Sequence, residues 1–185
     1  MKIEIGIDEV GMGTLAGPVV VAVVVFPAGL RIPGVCDSKK LTFAKIEAVV
    51  DAIYKNAIFE DVLTANLSGI SNLTQTWIHL VSELARRAHS RFPDEQIVLD
   101  GNRLVGLDYV KSIVGADKSH NAVSAASIIA KYVQCCIMED MHIQYPQYNF
   151  NQHRGYATAL HKQRIKEFGP CPTHRKMFRP FNKYS

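Results

Sequence analysis

KIEIGIDEVGMGTLAGPVVVAVVVF, residues 2–26, decides the fold. Residues 2–8 alternate. Ile3, Ile5 and Ile7 point one way and Lys2, Glu4, Gly6 and Asp8 the other, the period of a strand with one apolar face. Residues 19–26 are an unbroken valine-rich run fenced by Pro18 and Pro27, which reads as a strand buried on both faces. Eight residues cannot cross a bilayer as a helix, which takes about 20. Gly11, Gly13 and Gly17 turn the chain between the two runs, so they form a hairpin.

Beyond the hairpin, helices alternate with strands. A helix is expected over 43–55 with Thr42 as N-cap, a short strand over 57–63, and a longer amphipathic helix over 73–88 starting near Ser71 or Asn72. Strands follow at 96–99, ending on Asp100-Gly101, and at 109–114. A helix over 121–141 carries Ala122, Ala125, Ala126 and Ala130 for close packing, and a last one over 156–168 stops at Gly169-Pro170. This order predicts an α/β fold with a mixed central sheet flanked by helices, plus a C-terminal helical extension. The expected division is a body over 1–142 and a basic extension over 143–185, packed as one compact unit.

Composition narrows the class. With 185 residues, 48% hydrophobic and 21% charged, the chain has the balance of one folded domain. The net charge of +4 is uneven. Residues 151–185 hold eight Lys/Arg and one acid, a local +7, while the rest holds 13 Lys/Arg against 16 acids, a local −3. A basic end on an acidic body points to an anionic partner, nucleic acid first. Cys36, Cys135, Cys136 and Cys171 lack CxxC spacing and are too few for a disulfide scaffold; the adjacent pair reads as reduced, partly buried helix residues. Acids follow Met1 at once and no signal-length apolar run appears, so a cytoplasmic protein is expected.

Acids at strand ends carry the chemistry. Asp8 and Glu9 close the first strand, Asp100 closes a later one, and Asp117 lies just beyond another. Functional groups of α/β sheets gather at such carboxyl ends. Four carboxylates there repel one another unless a cation compensates, and Mg²⁺ or Mn²⁺ suits an all-oxygen set. Two such ions can activate a water and stabilise the leaving oxygen of a phosphodiester. Four unrelated turn-capping acids are the competing reading.

The glycine turn, GMGTLAG at 11–17, leads into Pro18 and a strand, not a helix, which argues against a dinucleotide site; no P-loop is present. Gly11, Met12 and Gly13 either let backbone approach a ligand or simply turn the hairpin. Lys39, Lys118 and Ser119 lie in polar loops that could meet phosphates or merely be solvated. Tyr156 belongs to an aromatic and basic stretch with His153, Arg154 and His161 that could stack on a sugar or base. Tyr145 and Tyr148 read better as packing residues.

Several segments, in order, resemble the type 2 ribonuclease H (ribonuclease HII) family. They are GIDEVGMGTLAGPVVVAVVV (6–25), DSKKLT (37–42), LDGNR (99–103), GADKSHNAVSAASIIAKY (115–132), YPQYNFNQHRGYATALH (145–161) and GPCPTHRKMFRP (169–180). The resemblance implies an RNase H-like fold. It implies endonucleolytic hydrolysis of the RNA strand of RNA/DNA hybrids, and at ribonucleotides embedded in duplex DNA, through two divalent ions (Mg²⁺ or Mn²⁺), leaving 5′-phosphate and 3′-hydroxyl ends. It carries catalytic and metal-binding roles onto Asp8, Glu9, Asp100 and Asp117. Reading of the ribose 2′-hydroxyl falls on the backbone of Gly11, Met12 and Gly13, sugar stacking on Tyr156, and phosphate contacts on Lys39, Lys118 and Ser119. The basic region 151–185 is expected to track backbone phosphates. The implied partners are RNA/DNA hybrid and ribonucleotide-containing DNA, with no membrane, for a monomeric protein.

Met12 departs from the family, which normally has arginine there, and so removes a cation beside the nucleic-acid backbone. The sister type 3 enzymes also lack that arginine but carry an N-terminal substrate-binding domain, for which the seven residues before Asp8 are expected to leave no room. Two rivals share the carboxylates: another metal-dependent nuclease on the same fold that needs no ribose, and a weakly active hybrid-binding relative marked by Met12.

Overall fold

The computed structural model describes residues 1–35, 43–66, 72–178 and 181. Five strands form one sheet: β1 (Ile3–Val10), β2 (Val19–Pro27), β3 (Phe59–Ala65), β4 (Ile97–Asp100) and β5 (Val110–Ile113), in the order β3-β2-β1-β4-β5. β1, β2 and β3 pair antiparallel, whereas β4 runs parallel to β1 and β5 parallel to β4. The helices are α1 (Phe43–Asn56), α2 (Leu73–Arg91), α3 (Asn121–Gln144), α4 (Phe150–His153) and α5 (Ala159–Phe168). The expected mixed sheet flanked by helices is therefore what the chain forms.

Element bounds shift for identifiable reasons. β1 continues to Val10 because its antiparallel pairing with β2 runs on through Glu9↔Val21 and Val10↔Val20. β3 starts at Phe59, not 57, because Ala57 N–H still closes the end of α1 on Ile53 O at 2.9 Å. α5 starts at Ala159, not 156, because the Thr158 side chain accepts the His161 N–H at 3.2 Å and caps the helix there.

β2 is buried on both faces, as its unbroken apolar run requires. On one side Ile5, Ile7, Val21 and Val23 pack under Trp77, Val81 and Leu84 of α2. On the other, Val20, Ala22 and Val24 meet Ile46, Val50 and Ile53 of α1 and the alanine-rich face of α3. α3 is long and apolar, and most of that apolar surface lies inside the fold. A third cluster, with Ala16, Met138, Tyr148, Phe150 and Cys171, fastens the C-terminal part onto the far half of α3. Tyr148 is thus a packing residue, as expected. Cys135, Cys136 and Cys171 are free thiols, with Cys135 and Cys171 buried; Cys36 lies outside the described residues.

The even-numbered face of β1 receives α3. Glu4 accepts the Ala122 N–H at 3.0 Å and so satisfies a donor of the first turn of α3, where a negative charge is also favoured. A Cβ on Gly6 would lie 2.2 Å from Val123 N and 2.4 Å from Ala122 C, so only glycine admits the helix at this distance. Gly6→Ala should therefore destabilise the protein by about 3 kcal/mol or more in chemical denaturation, at the upper end of core overpacking. Gly13→Ala, with nothing within 4 Å of the added carbon, should leave stability nearly unchanged. Equal effects would contradict this packing.

Candidate active site

The close approach of α3 to β1 decides what surrounds Asp8. Asp8 lies two residues beyond Gly6 on the same face and is buried, 7% exposed. The Glu9 N–H donates to its Oδ1 at 2.8 Å, and the Ser127 hydroxyl on α3 interacts favourably with its carboxylate. Asp8 and Asp100 stand on neighbouring parallel strands, one step beyond the paired Ile7 and Leu99. Asp100 Oδ1 accepts the Ala116 N–H at 2.8 Å, pinning to the end of β4 the 3-10 turn Ala116–Lys118 that carries Asp117. The Ser124 hydroxyl of α3 donates to the Asp117 carbonyl and holds the turn from its other side.

Glu9 leaves β1 on the opposite face, toward α2. It shares that face with Ile5 and Ile7, and the buried Trp77 indole N–H and the Arg103 guanidinium both favour its ionised form. Arg103 lies 5.3 Å from the centre of the Trp77 ring. Nothing in the periodicity marks Trp77 as more than core. Arg103 sits within the LDGNR segment, which was the available signal.

The electrostatics are those of a site short of positive charge. Burial, then the neighbouring Glu9 and Asp100 carboxylates, push the Asp8 carboxyl up to about 7 against the Ser127 and Glu9 N–H contacts. Burial and Asp100 also raise Glu9, despite Trp77 and Arg103. Among the described residues no three acidic, histidine or cysteine side chains close tightly enough to enclose an ion. The strand end instead collects carboxylates from both faces of the sheet. Their donor set is all oxygen, and a hard divalent cation relieves the two effects that raise Asp8, so these residues fit Mg²⁺ or Mn²⁺ chemically.

The glycine turn borders this strand end. Gly11 has φ of 92°, and its carbonyl accepts the Thr14 hydroxyl at 3.1 Å, which closes the turn. Gly13 is exposed, whereas Met12 is half-buried against the α2-side core. Methionine at this position acts as a packing residue. Leu15 N–H donates to Gly155 O at 2.8 Å, which ties the turn to the residue preceding Tyr156, and Tyr156 is exposed. Lys118 and Ser119 are exposed beside Asp117, and Ser119 Oγ lies 2.9 Å from His120 Nδ1. Lys39 lies outside the described residues.

The basic end needs correction. Arg175 does not face solvent: it is 0% exposed, and its guanidinium donates to Gly17 O and Met12 O. Arg154 pairs with Glu139 at 2.7 Å and Arg164 with Glu167 at 3.0 Å. These cations are engaged within the protein. Among the described residues of 151–185, the lysines Lys162, Lys166 and Lys176 are exposed.

A family model described as Ribonuclease HII matches residues 5–183. The chain belongs to the ribonuclease HII family. The hydrolase, nuclease and endoribonuclease classes expected from its sequence are those of that family. It is 38% identical over 176 residues to the Ribonuclease HII of Polaromonas sp. strain JS666, covering 95% of this chain and 88% of the relative. Its fold is similar to that of the RNase HII of Archaeoglobus fulgidus solved as a PCNA complex, with a TM-score of 0.81 and 24% identity over 96% of each chain. It is also similar to Bst-RNase HIII solved in complex with Mn²⁺, with a TM-score of 0.75 and 22% identity over 98% of this chain and 68% of that one. The RNase H-like fold is thereby established. The family's reaction is cleavage of the RNA strand of RNA/DNA hybrids.

A carboxyl with a pKa raised from 3.8 to about 7 costs the folded state nothing while protonated below pH 4; stability is lost as pH rises from 4 to 7, and the full penalty is present above 7. Without divalent cation at pH 8, Asp8→Asn should raise the thermal midpoint by roughly 5–10 °C, the size of a relieved penalty of a few kcal/mol. Added Mg²⁺ or Mn²⁺ should stabilise the unaltered protein and do so much less in the variant. Calorimetry giving equal midpoints without cation would contradict the penalty assigned to the buried Asp8 anion.

Proposed function

We propose that this chain is a divalent-metal-dependent endoribonuclease. It cuts the RNA strand of RNA/DNA hybrids and also at single ribonucleotides embedded in duplex DNA, leaving 5′-phosphate and 3′-hydroxyl ends. The observation that carries the reading is Asp8, a carboxyl raised by its burial and by Glu9 and Asp100, at a strand end bordered by a glycine turn whose Gly13 is exposed. Such a cluster is stable as anions only with cations among them.

Asp8, Glu9, Asp100 and Asp117 are the residues that would hold the ions. Two bound ions supply an activated water and a stabilised leaving oxygen without a protein general base. The chain's own residues position the strand. The exposed Gly13 backbone, beside Gly11 and Met12, offers peptide groups to a ribose 2′-hydroxyl without side-chain obstruction. The exposed Tyr156, linked to the same turn through Gly155, offers a face on which a sugar stacks. Lys118, Ser119 and Lys39 supply phosphate contacts, joined by Lys162, Lys166 and Lys176. Met12 contributes no charge, so affinity rests more heavily on these residues. The Mn²⁺ complex of the related type 3 enzyme supports the choice of cation.

Three duplexes test the reading with Mg²⁺ or Mn²⁺ present: an RNA/DNA hybrid, DNA with one ribonucleotide, and all-DNA. Cleavage of the first two and not the third is expected. Asp8→Asn should lower turnover by about 10³-fold or more while changing hybrid affinity by less than about tenfold, since it removes a group used in the reaction step. Equal cleavage of all three would point to a nuclease that reads no ribose, and full turnover in Asp8→Asn would contradict the metal-site assignment.

A further inference from the structure

The segment around residues 171–175 lies beside the glycine turn. Ala16 and His174 form an isolated antiparallel bridge, Gly17 N–H donates to Thr173 O at 3.2 Å, and Arg175 N–H donates to Leu15 O at 2.8 Å. From this short pairing two adjacent side chains reach different elements. Arg175 turns toward the hairpin. Its Nε and Nη2 donate to Gly17 O at 3.0 and 2.8 Å, and Nη1 donates to Met12 O at 3.4 Å. It is fully buried, and its hydrogen-bond partners are carbonyl oxygens, not a carboxylate.

His174 reaches toward α5. Its Nδ1 accepts the Cys171 N–H at 3.0 Å, so the ring proton sits on Nε2, which donates to His161 Nε2 at 3.1 Å. His161 then carries its proton on Nδ1 and donates to Tyr156 O at 2.8 Å. This proton order is assigned from its two ends, a backbone N–H that only donates and a carbonyl that accepts. Both imidazoles are buried and held neutral, pushed down to about 4 by burial. A proton added to the pair would set two N–H groups against each other.

We propose that His174 and Arg175 are a positioning pair. Arg175 fixes the Met12 end of the glycine turn and His174, through His161, fixes the backbone of Tyr156. Ribose selection therefore depends on two residues that touch neither substrate nor metal. The inference rests on the ribose-reading site proposed above and adds what sets its geometry. Lysine cannot replace this arginine, because a single ammonium lacks the planar fork that reaches Gly17 O and Met12 O together.

The test uses the full chain in an Asp8→Asn background, where binding is read without cleavage. Affinity is measured for duplex DNA with one ribonucleotide and for the all-DNA duplex, over a range of salt. Arg175→Lys should shrink the preference for the ribonucleotide by about tenfold or more, as expected when hydrogen-bonding groups move by a fraction of an ångström. The salt slope should stay unchanged, because no phosphate contact is lost. Overall destabilisation would weaken both duplexes alike and leave the preference intact, so thermal melting of each variant accompanies the binding data. His174→Gln carries the same comparison from the tyrosine side, and alone if Arg175→Lys does not fold. Folded variants that keep the parent's preference would overturn the proposal, as would a slope lowered by about one unit, the mark of a phosphate contact. A parent with no preference would instead overturn the ribose-reading site itself.

Discussion

Gly6 has no side chain, and the backbone of Ala122 and Val123 occupies the space one would need. From this contact the rest of the site follows. With α3 against β1, the Glu4 carboxylate caps its first turn and Asp8 lies under Ser127. The turn carrying Asp117 leads straight into α3, and the Ala116 N–H bonds Asp100 at the end of β4. Three neighbours on one face of one strand do three jobs: Glu4 satisfies the helix, Gly6 admits it, and Asp8 is buried by it.

That burial is costly to the protein alone and useful to a metal enzyme. Water that would stabilise the Asp8 anion is excluded by α3, and the nearest charges are further carboxylates. The apolar core is extensive enough to tolerate the penalty: β2 is buried on both faces, and α2 and α3 each cover one side of the sheet. On the proposed reading, stability is given up where a bound cation would restore it, a trade of stability for activity common at functional sites. The C-terminal part follows the same logic with opposite sign. Arg175 is buried among carbonyls and holds a turn, and the lysines that stay exposed are the cations to which the proposed function gives the phosphates.

Much of this was legible in the chain. Alternation over residues 2–8 and the valine run at 19–26 determine the hairpin, and the strand-end positions of Asp8, Glu9 and Asp100 single out the carboxylates. Alternation also puts Gly6 and Asp8 on one face, but not what lies above them. The α3 contact joins residues far apart in sequence, and no local pattern encodes it. Counting charge treats Arg175 like Lys176, although Arg175 is buried against the hairpin while Lys176 sits exposed in the turn that Phe178 N–H closes on Arg175 O. Trp77 is a core residue, 1% exposed, and its indole N–H beside Glu9 cannot be inferred from helical spacing. Thr158 as an N-cap was visible in principle, but the helical pattern running back to Tyr156 concealed it.

The ionisation of Asp8 is the quantity on which the site turns, and carboxyl NMR of the specifically labelled protein reads it directly across pH. In protein stripped of divalent cations, the Asp8 carboxyl should titrate near 7, and saturating Mg²⁺ should move that titration well into the acid range. Titration near 4 in the stripped protein, or a value that Mg²⁺ leaves unmoved, would contradict a carboxylate held buried for a metal ion.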